Sequence, residues 1–353
     1  TLLNGFLAQL ASDVRVEVQG IRSRARHDDF DAALLVFFGL LLSCGSQPDA
    51  GDSPGGIEPV QLALNWFPEA QHGGYYAAQL HGLYREAGVE VDILGGGPDA
   101  PVVQRVATGQ VEFGLTNADG VITARAAGAP IVALFAPYQI NPRCLVVHES
   151  TGITTIEQIA DVTLALSQRP AFSHFLRRRY AFRNVTVVPY HGSVTPFLEN
   201  ERYAMQGYVF SEPVVARRMG ADARALMVAD TGFNPYASAL IATEATVRDH
   251  PDLVAAVVAA SRQGWAQYLE TPLATNQHIH TLNPEMDMAI LAAGVDLSQD
   301  LVLDAVAGQH GIGHMSHRRW ARLLEQMVEA GVVEAGQVAV DECYTVSFLV
   351  KSL

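Results

Sequence analysis

Short apolar runs alternate with helix-like segments through the middle of this 353-residue chain. The runs at 62–64, 89–94, 111–115 and 131–135 have the length and composition of buried strands, and turns and segments with helical apolar spacing separate them. This β-α-β order predicts an α/β fold with a parallel, doubly wound sheet. Further strands are predicted at 145–148, 162–166, 185–188 and 208–210, and helices over 77–87, 101–108 and 172–180.

The stretch from Leu62 to Tyr76 (LALNWFPEAQHGGYY) has a dense set of candidate ligand-binding residues. A short strand ends at Asn65 and Trp66, and a polar loop then leads to His72, two glycines and a helix-like run from Tyr75. Open α/β sheets bind ligands at the carboxyl ends of their strands, and these side chains can hold a flat ring by stacking and hydrogen bonding. The alternative, that the aromatic residues are core and His72 only caps the helix, stays open.

Polar side chains also follow two later predicted strands. Asn117 and Asp119 come directly after the run at 111–115 and lead into a helix. Glu212 follows the strand at 208–210, where a carboxylate can accept paired hydrogen bonds from a ligand. Its alternative role is to complement the positive end of the helix that begins there, which is worth up to about 1 kcal/mol.

The N-terminal part has the pattern of an exported lipoprotein. An apolar run over 32–42 (AALLVFFGLLL) is too short to span a bilayer as a helix but suits the apolar region of a secretory signal. It ends in a Leu-Leu-Ser-Cys sequence that resembles a bacterial lipobox, in which the cysteine, here Cys44, receives the lipid. We therefore expect residues 1–44 to be a signal and lipobox region and residues 45–59 to be a flexible linker. A buried N-terminal helix or hairpin is the alternative.

The formal charge of −14 argues against a nucleic-acid partner, because phosphate binding needs a positive surface. Cys144 and Cys343 are expected to be buried small apolar residues, and the sequence leaves their pairing open. His310, His314 and His317 have helical spacing that could hold a metal. Glycines interrupt that helix and no acidic partner is near, so we expect no metal.

Three runs of this chain resemble the solute-binding proteins of ABC importers. They are LNWFPEAQHGGYYAAQLHGLYREAGVEVDI at 64–93, VATGQVEFGLTNADGVITARAAGAPIVALFA at 106–136 and GYVFSEPVVARRMG at 207–220. The resemblance is to the branch that captures pyrimidine precursors of thiamine, which shares its fold with the eukaryotic thiamine-pyrimidine synthase, and it covers roughly 60–349. It implies a type II periplasmic-binding-protein fold, with two α/β lobes that close on a ligand at a hinge of two crossing strands.

The chain length also favours two lobes. Strand-like segments at 144–148 and 237–242 flank a middle block, as two hinge crossings should. We therefore expect one lobe to hold 58–150 and 235–353, and the other to hold 151–234. Carried over by position, the family's cleft would be lined here by Asn65, Trp66, His72, Tyr75, Asn117, Asp119 and Glu212.

The synthase branch differs from this chain at three places. Its pyridoxal-phosphate lysine falls at Thr116 here, a histidine of the same motif falls at Gly120, and the segment matching its cysteine-rich run, 231–242, has no cysteine. The resemblance therefore implies a binding protein without enzymatic activity or cofactor. It would be lipid-anchored in the cell envelope, facing the periplasm or cell exterior, and would deliver a small heteroaromatic solute to an ABC permease and ATPase. A synthase-type enzyme, a sulfonate- or riboflavin-binding protein and a ligand-sensing module are the alternatives.

Overall fold

The computed structural model describes residues 59–98 and 100–349. Cys44, the predicted signal region over 1–44 and the predicted linker up to residue 58 lie outside the described residues. Within the described part, every helix is too short or too polar to cross a membrane.

The first sheet has five strands in the order β2-β1-β3-β10-β4. They are β1 (Val60–Ala63), β2 (Val91–Leu94), β3 (Phe113–Thr116), β4 (Ile131–Phe135) and β10 (Ala239–Thr243). β1 pairs in parallel with β2 and β3, while β10 runs antiparallel to β3 and β4. The predicted parallel arrangement thus holds for β1, β2 and β3, and the returning strand β10 makes the sheet mixed.

The second sheet also has five strands, in the order β7-β6-β8-β5-β9. They are β5 (Arg143–His148), β6 (Thr163–Ala165), β7 (Thr186–Val188), β8 (Tyr203–Tyr208) and β9 (Ala223–Met227). We call the elements on the first sheet lobe 1 and those on the second sheet lobe 2. Because β5 pairs with β8 and β9, the chain has already entered lobe 2 at Arg143, before the expected boundary at residue 150.

Two crossing segments join the lobes. The chain leaves β4 at Phe135 and returns to β10 at Ala239, and the two segments meet in an antiparallel bridge between Tyr138 and Ala237. Asn141 strengthens the crossing, since its Nδ2 donates to the Pro235 carbonyl at 2.9 Å. The Asn141 backbone N–H also donates to Asn234 Oδ1 at 2.7 Å.

Thirteen α-helices cover these sheets in the described ranges. They are α1 (Gly73–Leu80), α2 (Leu83–Glu86), α3 (Val102–Ala107), α4 (Ala118–Ala126), α5 (Ala171–Arg179), α6 (Thr195–Glu199), α7 (Glu212–Arg218), α8 (Glu244–Asp249), α9 (Pro251–Glu270), α10 (Leu273–Leu282), α11 (Met288–Val302), α12 (Ala305–His310) and α13 (His317–Glu329). A 3₁₀ turn, Ala70–His72, comes directly before α1.

Helices α1 and α9 pack unusually closely because glycines lie between them. A Cβ atom on Gly74 would fall 2.2 Å from the Trp265 ring, and one on Gly264 would fall 2.2 Å from the Gly74 carbonyl oxygen. The contact fixes the face that α1 turns towards the core and so buries Tyr75 completely. The helix predicted over 77–87 therefore begins earlier and is divided at Gly82, which has a φ of 77°.

Candidate functional site

A cleft between the lobes contains two joined compartments. The larger has a volume of about 530 Å³ and lies between α3 and α4 of lobe 1 and the segment 169–172 of lobe 2. The smaller, of about 180 Å³, lies between the loop after β1 and the ends of β7 and β8. Asn65, Arg143 and Pro170 line both compartments. A cleft of this combined size can enclose a ligand larger than one six-membered ring.

Glu212 lies in the small compartment at the first residue of α7. Its Oε1 accepts a hydrogen bond from the Tyr190 hydroxyl at 2.6 Å, and its Oε2 accepts one from the Tyr208 backbone N–H at 2.7 Å. The carboxylate can fold back in this way because residue 207 is glycine, where a Cβ would fall 2.8 Å from Oε2. The structure thus holds Glu212 at the strand end where the sequence placed it, with its orientation fixed by its own lobe.

Asn117 and Asp119 line the large compartment. Asn117 connects the lobes, because its Nδ2 donates to the Tyr208 hydroxyl at 2.9 Å while its Oδ1 accepts from the Ser238 backbone N–H at 3.2 Å. Asp119 is 9% exposed, and its Oδ1 has no hydrogen-bond partner among the described residues. Burial raises the pKa of Asp119, and the charge of Arg143 partly offsets this. Asp119 is therefore a buried acceptor that a solute in the large compartment can satisfy.

Arg143 lies at the junction of the compartments and was not identified from the sequence. Its guanidinium carbon is 4.6 Å from the ring centroid of Phe172 and 4.6 Å from that of Tyr208, and its Nη2 donates to the Tyr208 hydroxyl at 3.4 Å. The aromatic rings hold the cation in place. The guanidinium has five N–H donors, so it can bind acceptor atoms of a solute that reaches either compartment.

Trp66 lines the small compartment and is partly exposed. Its ring meets that of Phe67 edge-on, with centroids 5.6 Å apart. The lobe 2 loop at Gly192 approaches it so closely that a Cβ there would be 3.7 Å from the Trp66 ring. By contrast, Trp265 and Trp320 are buried in the core.

His72 and Tyr75 lie in the core of lobe 1 and line neither compartment, although the sequence placed both in the cleft. The Tyr75 hydroxyl donates to the Ser238 carbonyl at 2.8 Å, and its ring packs edge-on against Trp265. Burial lowers the pKa of His72 to about 3, so its ring is neutral. His72 Nε2 is 3.3 Å from Asn65 Oδ1, so the histidine acts on the cleft through Asn65.

Two buried polar residues of the small compartment were also missed from the sequence. Glu69 and Gln71 are 3% and 1% exposed and lie at the start of, and within, the 3₁₀ turn before α1. The pKa of Glu69 is raised to about 8, mainly by burial and also by the charge of Glu212, while a hydrogen bond from Ser211 opposes the rise. The Ser211 hydroxyl lies 3.0 Å from Glu69 Oε2 and comes from the opposite lobe.

The histidine spacing near the C-terminus does not assemble a metal site in the structure. The rings of His310 and His314 stack with centroids 4.4 Å apart, whereas His317 Nε2 lies 3.4 Å from Asp341. Over 59–98 and 100–349, no group of three or more His, Cys, Asp or Glu side chains has the geometry to hold a metal ion. Cys144 and Cys343 are both buried free thiols.

The residues that would hold pyridoxal phosphate in a synthase do not fit that role here. Thr116 lines the large compartment at the position of the expected lysine, and the chain's only lysine, Lys351, lies outside the described residues. A Cβ on Gly120 would be 2.5 Å from Thr116 Oγ1, so a histidine at that position would clash.

Known proteins are similar to this chain over most of its length. Riboflavin-binding protein RibY of Chloroflexus aurantiacus is 27% identical over 318 residues, which cover 86% of this chain and 90% of RibY. A formylaminopyrimidine-binding protein of Halalkalibacterium halodurans is 21% identical and covers 88% of this chain and 96% of its own length. The crystal structure of the periplasmic aliphatic sulphonate-binding protein SsuA from Escherichia coli aligns with a TM-score of 0.64 at 14% identity, over 81% of this chain and 92% of SsuA.

The structural likeness confirms the predicted α/β fold of the periplasmic-binding-protein type. The family model described as NMT1/THI5 like matches residues 69–275, which is more than half of the chain and includes both compartments' residues from Glu69 to Pro235. The predicted family resemblance is therefore confirmed: the chain belongs to the NMT1/THI5-like family.

Proposed function

We propose that this protein is the solute-binding component of an ABC importer and captures a small heteroaromatic solute in the cleft between its lobes. The observation that carries the proposal is that polar side chains from the two sheets converge on one cleft, where they already bond across it. Asn117 of lobe 1 meets Tyr208 of lobe 2, and Ser211 of lobe 2 meets Glu69 of lobe 1. Two lobes between which the chain passes in two crossing segments can open and close around a solute, as in hinged binding proteins.

The side chains of the cleft suit a flat, nitrogen-containing ring. Trp66 and Tyr190 line the small compartment and supply aromatic surface, while Glu212 and Gln206 supply acceptors and donors. A pyrimidine precursor of thiamine has the matching chemistry, and the relative from Halalkalibacterium halodurans is named for a formylaminopyrimidine.

The large compartment favours a second candidate solute, riboflavin. Its volume of about 530 Å³ exceeds what one pyrimidine ring fills, and its walls combine apolar side chains with Asp119 and Arg143. A multi-ring solute with a polar chain would use both compartments. The relative named for riboflavin is also more similar to this chain than the pyrimidine-binding one.

We propose binding without catalysis. Thr116 and Gly120 replace the lysine and histidine that the synthase branch needs, and the described cleft has no lysine to form a covalent link with a cofactor. A purified protein that formed a pyrimidine from pyridoxal phosphate and histidine would overturn this part.

We further propose that Cys44 anchors the protein in the cell envelope, where it faces the periplasm or the cell exterior and meets the permease and ATPase. The lipobox-like ending of the apolar run supports this. Expression of the wild type and Cys44→Ser in a bacterial host should give a membrane-bound and a released protein, respectively. Equal release of both would contradict the anchor.

A calorimetric panel tests the function directly. The purified protein is titrated with formylaminopyrimidine, riboflavin, an alkanesulfonate and a small amide, and we expect tight binding of a heteroaromatic member. Glu212→Ala should weaken that binding by about 1.5–3 kcal/mol, the range for a hydrogen bond to a charged group. Trp66→Ala should weaken it comparably through lost stacking. Binding of the sulfonate alone would keep the importer role and refute the heteroaromatic solute.

A further inference from the structure

The small compartment contains two buried polar side chains that the fold itself does not need. Glu69 and Gln71 both come from the turn between β1 and α1, and both are almost completely buried although they line the cleft. Gln71 Oε1 has no hydrogen-bond partner among the described residues. A buried acceptor without a partner is unfavourable unless a ligand supplies the missing donor.

The surroundings of Glu69 disfavour a negative charge. The titratable groups that face it are Glu212 across the compartment, Tyr190 of lobe 2, and Tyr138 and Tyr268 in the core. The tyrosines are neutral, and Glu212 is a second carboxyl group. Two carboxyl groups in one buried site do not both ionise easily.

Arg143 is a cation in the lining of the same compartment. Its guanidinium carbon lies 4.6 Å from the ring centroids of both Phe172 and Tyr208, so these rings hold it. Both carboxyl oxygens of Glu212 already accept a hydrogen bond within lobe 2, one from the Tyr190 hydroxyl and one from the Tyr208 N–H. Among the described residues, the Glu69 side chain accepts one hydrogen bond, from the Ser211 hydroxyl to Oε2, which leaves Oε1 available to a solute.

We propose that Glu69 binds the solute as a neutral carboxylic acid and that closure of the cleft takes up one proton from the solvent. This inference rests on the proposed binding function and deepens it. Because Ser211 comes from the opposite lobe, opening of the cleft removes that partner and hydrates Glu69, which then releases the proton.

The proposal defines the chemistry of the solute edge that enters the small compartment. A carboxylate only accepts hydrogen bonds. A carboxyl group protonated at Oε1 donates from that oxygen, while Oε2 keeps the hydrogen bond from Ser211 and has a second lone pair for a solute N–H. Its partner is a ring edge with an acceptor nitrogen or carbonyl beside an N–H donor, as in an aminopyrimidine or a lactam ring. Gln71 Oε1 accepts a further N–H from the same edge. Glu69 thus determines specificity for this edge over a sulfonate, which has acceptors only.

The pH dependence follows from the sign of the shift. In the closed cleft the pKa of Glu69 is raised from an ordinary value of 4.5 to about 8. A raised pKa favours the closed, protonated form at low pH, and the advantage is lost as pH rises towards the closed-state value. Between about pH 5 and 7.5 each binding event should take up close to one proton, and the Kd should rise about tenfold per pH unit.

The test is calorimetry with formylaminopyrimidine, and with riboflavin as a second probe, in two buffers of different ionisation enthalpy at several pH values. The wild type should take up about one proton near pH 6.5. Glu69→Gln keeps a neutral donor and acceptor, so it should bind with no such uptake and with a Kd independent of this proton. Subtracting the proton uptake of Glu69→Gln from that of the wild type removes any contribution from titration of the solute itself.

Glu212→Gln provides a second, graded variant. It should bind the solute more weakly yet still take up the proton. As pH rises, the uptake should end at a lower pH than in the wild type, because Glu212 no longer raises the pKa of Glu69. If the wild type bound a probe without proton uptake, the inference would be overturned and the proposed function would stand. This measurement uses the wild-type protein alone. If neither probe bound at any pH, the proposed function itself would fail.

Discussion

The hydrogen bond between Asn117 and Tyr208 offers a direct test that the two lobes bind solute in the closed arrangement described here. Asn117 Nδ2 donates to the Tyr208 hydroxyl at 2.9 Å, and this bond exists only while the lobes are together. Tyr208→Phe removes the hydroxyl and keeps the ring. The ring contacts with Arg143 and Phe210 therefore remain.

The magnitude follows from the bond that is lost. A net intramolecular hydrogen bond between neutral groups contributes about 0.5–1.5 kcal/mol. Asn117 is only partly buried, so water can replace its lost acceptor and the larger penalty of an unpaired buried donor does not apply. The weaker bond from Arg143, at 3.4 Å, adds little. We expect the Kd for the solute to rise about twofold to tenfold, since 1.4 kcal/mol is a factor of ten.

Isothermal calorimetry measures this change, and Tyr203→Phe is the matched control. Tyr203 begins the same strand, β8, but lines neither compartment, so the same substitution there should leave the Kd unchanged. An unchanged Kd for Tyr208→Phe, or an equal loss for both variants, would refute the reasoning. It would mean that the solute-bound lobes do not meet at Asn117.

Two further predictions concern packing and fluorescence. Gly264→Ala should lower the free energy of unfolding by about 1–3 kcal/mol, because its Cβ would overlap the backbone of α1. Gly308→Ala is the control, since it lies at an exposed helical position with open space and should be neutral or stabilising. Thermal melts that rank the two variants in the opposite order would contradict the packing. Solute binding should change tryptophan emission through Trp66, so Trp66→Phe should abolish the response while Trp265→Phe and Trp320→Phe retain it; a response that survives in Trp66→Phe would place the solute elsewhere.

A strand could be predicted from the sequence where its own residues form an unbroken apolar run. The apolar run Ile131–Phe135 is buried at every position and was predicted with its observed ends. Strand β8 was predicted at 208–210 but lies at Tyr203–Tyr208, because Gln206 and Gly207 interrupt its apolar pattern. Its C-terminal end is fixed by Glu212, whose side chain accepts the Tyr208 N–H and so starts a turn there.

The lining of the cleft could be predicted where residues follow strand ends, and not where distant packing decides a side chain's orientation. Asn65, Trp66, Asn117, Asp119 and Glu212 all line the cleft. His72 and Tyr75 do not, because glycines let α9 approach α1 and turn that face inwards, and α9 lies far away in sequence.

The missed residues depend on partners that local sequence does not reveal. Glu69 is defined by Glu212 and Ser211 from the other lobe, and Arg143 by Phe172 and Tyr208. A signal for Arg143 was present nonetheless, since it is a charged residue that opens an otherwise buried strand. A charged residue at the start of such a strand requires partners, and a cleft can supply them.

A last prediction concerns how folding stability depends on pH through His72, separately from the pH dependence of solute binding. His72 is fully buried in lobe 1, and burial lowers its pKa from an ordinary value of 6.5 to about 3. The unfolded chain therefore binds a proton that the folded chain does not between these values. Stability from the neutral His72 is complete above about pH 6.5 and is lost as pH falls, by about 1.4 kcal/mol per pH unit.

His72→Gln should remove this loss, since glutamine can still donate to Asn65 and has no proton to take up. Urea unfolding at pH 7.5, 5.5 and 4.5 measures the difference from the wild type, and His81→Gln makes the same substitution at an exposed position. A His72→Gln curve that stays parallel to the wild type across this range would show that the ring is not buried as described. The slope should be the same with and without solute, because His72 lies in the core of one lobe. The proton uptake at Glu69 should appear only on binding, because we propose that it accompanies closure of the cleft.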